Sequence, residues 1–526
     1  MTEQEFFHSK HYNKFTKLSG KIKNECEDFI VKEIYDNEIC EDKAKINYNG
    51  IAIVDKFLKF LAENENLTLL EINKYEVNYE IIFDKCKYVF NANENEEDNR
   101  NDHLNETIIK YLNNLEYKEY FFNCNDKELR TLMHTLLKLH PMIYTFSDGC
   151  YFKIKTCLIQ NYSFILKKIN KDTSDVKNLL ERHLSNTIDP VYKDNESEGL
   201  FTNELLNKLD ILEDTRSNIS CRVSFAGNKD KKAITYQRMN VKCNFISLFM
   251  LHLNNIEIFD IRRSNKGIDL GELYGNKFVI KVKLDDALSK ENVDALIENH
   301  LNENAIMENG KLYFKSVKFI NYFGMQRFGR SKNNHVIGEL FHNGKVNEGV
   351  SLILMTFINS RKESELMHKL LEERDYNSLL KLTPHSFFLE RKILYLLMKN
   401  QKIVLNKLPR ETIMLYLHSY QSYVFNNEVN IFLESLKDDV PTKKEFDIFV
   451  KKDEEFIQNE NANLDEVYLK LHKLNNKLAK GDFRRIISTA YEVFIKYSND
   501  EVIFEFTLEK GIYATMFLRE FINSKE

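Results

Sequence analysis

A chain of 526 residues is too long for one ordinary core, and 43% hydrophobic with 29% charged residues is the balance of packed globular domains, which excludes a disordered tail. A net charge of −5 counts against coating nucleic acid through a global field, so such a partner would have to be held by a local patch. No run of 18 apolar residues exists and the N-terminus is polar, so the expectation is an intracellular protein, in nucleus, cytoplasm or both. Eight cysteines form no Cys-x-x-Cys and 14 histidines form no His-Glu-x-x-His pair, so no disulfide framework, zinc site or other metal is implied.

Along the chain, ANENEEDNRND (92–102) reads as an acidic linker, and KELRTLMHTLLK places Arg130 and His134 on one helix face. SFILKKIN (163–170) reads as a strand. It is followed by a helix that Asp172, Thr173 or Ser174 can cap, with Val176, Leu179, Leu180 and Leu184 as its apolar face. SCRVSFAG (220–227), IEIFDI (256–261) and KFVIKVKL (277–284) are further strands. From about 345 to 480 apolar residues recur at intervals of three and four, the pattern of buried helix faces, with a second linker candidate at 436–447. VIFEFTL then alternates as Val502, Phe504, Phe506 and Leu508, and YATMFLREFI reads as helix, so a mixed core is interrupted and resumed.

The densest chemistry lies in SFAGNKDKKAIT (224–235). Between Arg216 and Lys242 seven basic residues surround one acid, Asp230, giving a local charge of +6 in an acidic chain. GNKDK is not the guanine-reading Asn-Lys-x-Asp, and Gly20, Gly310 and Gly344, each followed by lysine, continue with Ile22, Leu312 and Val346, so no P-loop is present. A lone carboxylate on a glycine turn, flanked by cations that favour its ionised form, suits a nucleophile better than a general acid. An ordinary surface ion pair is the competing reading.

SFAGNKDKKAITYQ (224–237) resembles the signature of the TruD family of pseudouridine synthases, roughly Gly-x-Lys-Asp-[Arg/Lys]-x-Ala-x-Thr-x-Gln. Six further TruD-like blocks follow in family order: KNECEDFIVKE (23–33), FILKKINKDT (164–173), LGELYGNKFVIKVK (270–283), NYFGMQRFG (321–329), LHSYQSYVFN (417–426) and GIYATMFLRE (511–520). The resemblance implies an α+β fold: a pseudouridine synthase catalytic core with a mixed, largely antiparallel sheet and helices, a mainly α TruD-type insertion and a smaller N-terminal insertion. The domains expected are 1–35, 36–150, 151–340, 341–480 and 481–526, in the manner of the eukaryotic-type branch.

The implied reaction isomerises uridine in RNA. The N1 glycosidic bond breaks, the uracil turns, and C5 bonds to the ribose, without a cofactor. The implied substrate is RNA, tRNA uridine 13 first and messenger or other RNA next, acted on by a monomer. By resemblance Asp230 is the catalytic nucleophile and Lys23 its cationic neighbour. Asn321 and Phe323 read and stack the extruded base, and Phe29 is a second aromatic contact. Lys229 and Arg327 contact substrate, with Gln326 open. The block around Lys23 carries Cys26 where the family has proline, which puts its turn in doubt. Arg130 and His134 resemble a degenerate single-strand-binding module and would dock RNA. The rivals are a catalytically silent RNA-binding or RNA-folding protein on the same scaffold, and an unrelated Asp-dependent hydrolase acting on a nucleoside. For the Tyr and His of LHSYQSYVFN, helical spacing favours packing.

Overall fold

The computed structural model describes residues 6–7, 15–22, 25–43, 159–169, 173–185, 221–249, 251, 253–302, 305–401, 403–435 and 483–524. It also describes short elements at 69–74, 78–83, 86–91, 120–123, 127–137, 143–148, 151–156, 456–457 and 468–470. Lys23, Asp172 and the linkers expected at 92–102 and 436–447 lie outside these residues. The chain divides into two compact units, Lys23–Ile280 and Met1–Ile22 with Lys281–Glu526.

In the unit Lys23–Ile280 the main elements are β1 (Phe29–Tyr35), β2 (Ile159–Lys168), α1 (Thr173–Ser185), β3 (Val223–Phe225), β4 (Ile234–Asn244), β5 (Ile256–Arg263) and the first part of β6 (Gly275–Leu284). The strand order is β5-β2-β4-β1-β6. Only β4 and β1 run parallel, with Ile234 opposite Ile30, and the other neighbours are antiparallel. Alternation drives this sheet: Tyr162, Phe164 and Leu166 of β2 and Met239, Val241 and Cys243 of β4 point to one face and are buried. Val176, Leu180 and Leu184 recur every four residues and lay α1 on that face, each fully buried side chain contributing roughly 1.5–3 kcal/mol. The helix begins at Thr173.

β3 is a short hairpin partner of β4, Val223 opposite Val241 and Phe225 opposite Met239. The chain therefore leaves the sheet at Ala226 and rejoins it at Ile234, and the loop between them carries Asp230. Earlier in the same unit, the helix Lys127–Leu137 buries Met133 and Leu137 while Arg130 and His134 lie half-buried, four residues apart on one face.

In the second unit β7 (Lys311–Ile320) is antiparallel to β9 (Ile487–Tyr497), which is antiparallel to β10 (Glu501–Glu509), and β8 (Phe483–Arg485) immediately precedes β9. Val502, Phe504, Phe506 and Leu508 all face the core, and Phe506 meets Phe517 at 4.3 Å between ring centroids. The expected YATMFLREFI helix is short, spanning only Ala514–Leu518, because Ile522–Ser524 pairs in parallel with the strand Leu18–Ile22.

A helical series follows β7, from α2 (Asn334–His342) and α3 (Val346–Asn359) to a last helix at Arg410–Ser435, with its own core of Ile337, Phe357, Ile393 and Leu417 among others. Its first helix starts at Asn334. Gly338 of α2 lies directly on the carbonyl of Tyr416, where any Cβ would overlap it, so the two helices cross at backbone distance. Among the described residues no helix is long and apolar enough to cross a membrane.

Candidate active site

The loop 226–233 is fixed by bonds to its main chain. Ala226 O accepts from Gly271 N at 2.6 Å, and Gly227 O accepts from Gln237 Nε2 at 2.6 Å. The ammonium of Lys168, wholly buried at the end of β2, donates to the carbonyl of Asp230 at 2.9 Å. Asp230 Oδ1 accepts from Lys232 N at 2.9 Å, an Asx-type turn that aims the side chain, and Asp230 stays half-exposed. The result is a carboxylate with a rigid base.

Lys229, one residue before, points inward. Its Nζ lies 2.9 Å from Glu33 Oε1 and donates to Asn276 Oδ1 at 2.8 Å, with the Glu33 side chain fully buried. Glu33 also accepts from Arg238 N at 2.8 Å. Burial pushes the Glu33 carboxyl above the usual range, and Lys229 and Arg238 pull it back down. The ammonium of Lys229 is thus engaged by protein groups on β1 and β6, an arrangement that suits holding the loop. Phe29 opens β1 and is buried at 3% exposure, its ring 6.1 Å from that of Phe278. Before it, Cys26–Asp28 forms one tight turn in which Asp28 Oδ2 accepts from Glu25 N at 2.9 Å, so cysteine at the family's proline position still supports a closed turn. Lys23 lies outside the described residues.

In the second unit the segment 321–324 leaves the end of β7. Asn321 Nδ2 donates to Arg485 O at 2.9 Å, and Asn321 Oδ1 accepts from Arg484 Nη2 at 2.7 Å. Arg484 also donates to the carbonyls of Asn321 (3.2 Å), Tyr322 (3.4 Å) and Gly511 (3.0 Å), and its guanidinium lies 4.0 Å from the centroid of the Phe323 ring. Burial draws its pKa down to about 10, Tyr513 works against that and Arg327 adds to it, so it stays a cation at neutral pH. Among the described residues it has no carboxylate partner.

The main chain of Phe323 is gripped on both sides by Asn426, whose Oδ1 accepts from Phe323 N at 2.9 Å and whose Nδ2 donates to Phe323 O at 3.0 Å. Phe425 and Tyr513 meet the Phe323 ring edge-on at 5.4 and 6.1 Å. Gly324 is required here, since a Cβ would come within 2.8 Å of Tyr513 Cδ1. Arg327 donates from Nε to Ser422 Oγ at 3.2 Å and lies 5.8 Å from the Phe323 centroid. Gln326 is exposed.

Sequence reasoning did not single out Lys168, Glu33, Asn426 or Arg484. Asn426 is one of several buried polar residues on the helix Arg410–Ser435, with Ser419, Gln421 and Ser422, and the two-point grip it makes is what such a residue can do. Among the described residues no group of three or more His, Cys, Asp or Glu side chains is arranged to hold a metal ion.

A family profile described as "tRNA pseudouridine synthase D (TruD)" matches residues 191–468 and 450–521. A Methanocaldococcus jannaschii protein named "Probable tRNA pseudouridine synthase D 1" is 30% identical over 324 residues, covering 57% of this chain and 78% of that protein. A Picrophilus torridus protein named "Probable tRNA pseudouridine synthase D" is 28% identical over 351 residues, covering 57% of this chain and 80% of its own length. The crystal structure of a Methanosarcina mazei protein described as a tRNA pseudouridine synthase D aligns over 99% of this chain and 97% of its own with a TM-score of 0.45 and 17% identity, a likeness too loose to bear on the site.

Proposed function

This chain belongs to the TruD family and is a pseudouridine synthase, an isomerase acting on tRNA, and we propose that its target is uridine 13 with Asp230 as the nucleophile. The observation that carries the reading is the loop around Asp230, which buried lysine bonds hold rigid while its carboxylate is left half-exposed. Rigid support of this kind is what a nucleophile needs if positioning is to lower the barrier.

The other motif residues divide the work. Asn321 reads the edge of the extruded uracil and Phe323 stacks on it, with Phe29 a second aromatic contact and Lys23 a cationic neighbour of Asp230. Lys229 serves by holding the loop, because its ammonium is already engaged by Glu33 and Asn276. Arg327 meets an RNA phosphate, since only its Nε is used among the described residues. The core interrupted at 36–150 and 341–480, the eukaryotic-type branch, RNA docking by Arg130 and His134, a monomeric state and activity on messenger RNA belong to the same proposal.

The test is incubation of the purified protein with an unmodified tRNA transcript, followed by base-resolved pseudouridine mapping and an assay for free uracil. The expected result is conversion at position 13 with no uracil released. Released uracil would indicate a hydrolase. Binding without conversion of any uridine would indicate the silent RNA-binding alternative.

A further inference from the structure

We propose that Arg484 is the positioning residue of the Asn321–Phe323 segment, setting both the orientation of the Asn321 amide and the face of the Phe323 ring that a base can use. The proposal deepens the reading of Asn321 and Phe323 as uracil contacts and rests on it.

The guanidinium is a pure donor, so whichever atom of the Asn321 amide faces it must be the oxygen. At 2.7 Å Arg484 Nη2 fixes that oxygen, and the amide nitrogen is thereby turned to the carbonyl of Arg485. One N–H of Asn321 is left after that bond. Arg484 thus makes Asn321 a donor toward anything that approaches it, which suits a uracil carbonyl. The same guanidinium lies on one face of Phe323 at 4.0 Å, so a stacked base must take the other face.

Arg484 is half-buried, and a cation drawn partly out of solvent usually finds an anion to balance it. Arg484 has no such partner among the described residues. Its hydrogen bonds go to three main-chain carbonyls and one side-chain amide, and its guanidinium lies over the rings of Phe323 and, at 5.7 Å, Phe425. The fork geometry is the property only arginine offers, since one lysine ammonium cannot reach acceptors on Asn321, Tyr322 and Gly511 and also lie flat on a ring.

The test uses the full chain and compares Arg484→Lys, Arg484→Gln, Asn321→Ala, Phe323→Leu and the double variant Arg484→Gln with Asn321→Ala. Turnover and KM for a tRNA transcript are read together with Tm. Arg484→Gln is expected to lower kcat about 100-fold with KM changing less than about threefold, because the lost contact acts on the reacting base and not on tRNA docking. Arg484→Lys is expected to recover no more than about a tenth of the loss. In the double variant Asn321→Ala should add almost nothing, since the two residues act as a unit.

Multiplying losses in the double variant, or near-normal kcat in either Arg484 variant, would overturn the positioning role. If Arg484→Gln does not fold, the cycle is run with Arg484→Lys and the same outcomes decide. Should Asn321→Ala and Phe323→Leu both turn over normally, the uracil-contact reading itself fails and this inference with it. Impairment of those two with normal Arg484 variants would sink the positioning role alone.

Discussion

The loops 226–233 and 321–324 are both tied down by cations that donate to main-chain carbonyls, buried Lys168 at the first and half-buried Arg484 at the second, yet the charge around each is balanced differently. At the first, Lys229 is matched by Glu33, Lys168 holds the Asp230 carbonyl, and the carboxylate of Asp230 is left half-exposed. At the second, Arg484 faces no carboxylate among the described residues and lies against an aromatic ring that is itself 8% exposed. The difference teaches where each loop's rigidity comes from. A compensated pair can stabilise the fold while it positions a group, whereas the half-buried guanidinium spends its donors on loop carbonyls and one amide, which fixes geometry without a balancing anion.

The contrast can be broken most forcefully at Glu33. Glu33→Gln leaves Lys229 buried without its anion and is expected to lower stability by about 3–5 kcal/mol in thermal or denaturant unfolding. A loss under about 1 kcal/mol would mean that the pair does not anchor the loop. Replacing both, Glu33→Met with Lys229→Met, should restore most of the stability while kcat stays depressed, which separates holding the fold from holding the loop.

Phe323→Leu comes next. Loss of stacking is worth about 1–3 kcal/mol, or roughly 5- to 150-fold in kcat/KM measured on a tRNA transcript. A change within twofold would make the ring a core residue only.

The smallest effect serves as a baseline outside both loops. His300, in the helix Lys290–Asn302, is buried, its Nε2 2.7 Å from Tyr497 Oη, and burial holds its pKa down to about 4. Its unfolded value is about 6.5, so the unfolded chain binds the proton first as pH falls. Stability from the neutral ring is therefore complete above pH ~6.5 and drains away down to pH ~4, by about 1 kcal/mol between pH 6.5 and 5.5. His300→Gln should flatten that part of the stability profile, and an unchanged acid slope would assign it elsewhere.

Much of the frame was legible because local pattern and tertiary environment agree. Val502, Phe504, Phe506 and Leu508 alternate in sequence and are all buried, and the Val176, Leu180 and Leu184 stripe lies on the sheet as its spacing requires. Asp230 could be found because its motif is contiguous and its cations stand out in an acidic chain. Its supports could not. Lys168 lies 62 residues from Asp230, and Arg484 lies 163 residues from Asn321. A lysine or arginine in a strand reads as solvated unless the acceptors across the fold are known. The short C-terminal helix has a similar cause: it ends at Leu518 because the residues after it are recruited into a strand pair with Leu18–Gly20, a partner some five hundred residues away in the chain.

The central claim is that Asp230 performs the isomerisation, and the most direct test compares the wild-type chain with Asp230→Asn on the same tRNA transcript, under conditions where both are saturated with RNA. The account predicts pseudouridine formation by the wild type, a loss of about 10,000-fold or more in the variant, and an RNA affinity within a few fold. An Asp230→Asn protein that still forms pseudouridine at a comparable rate would contradict it.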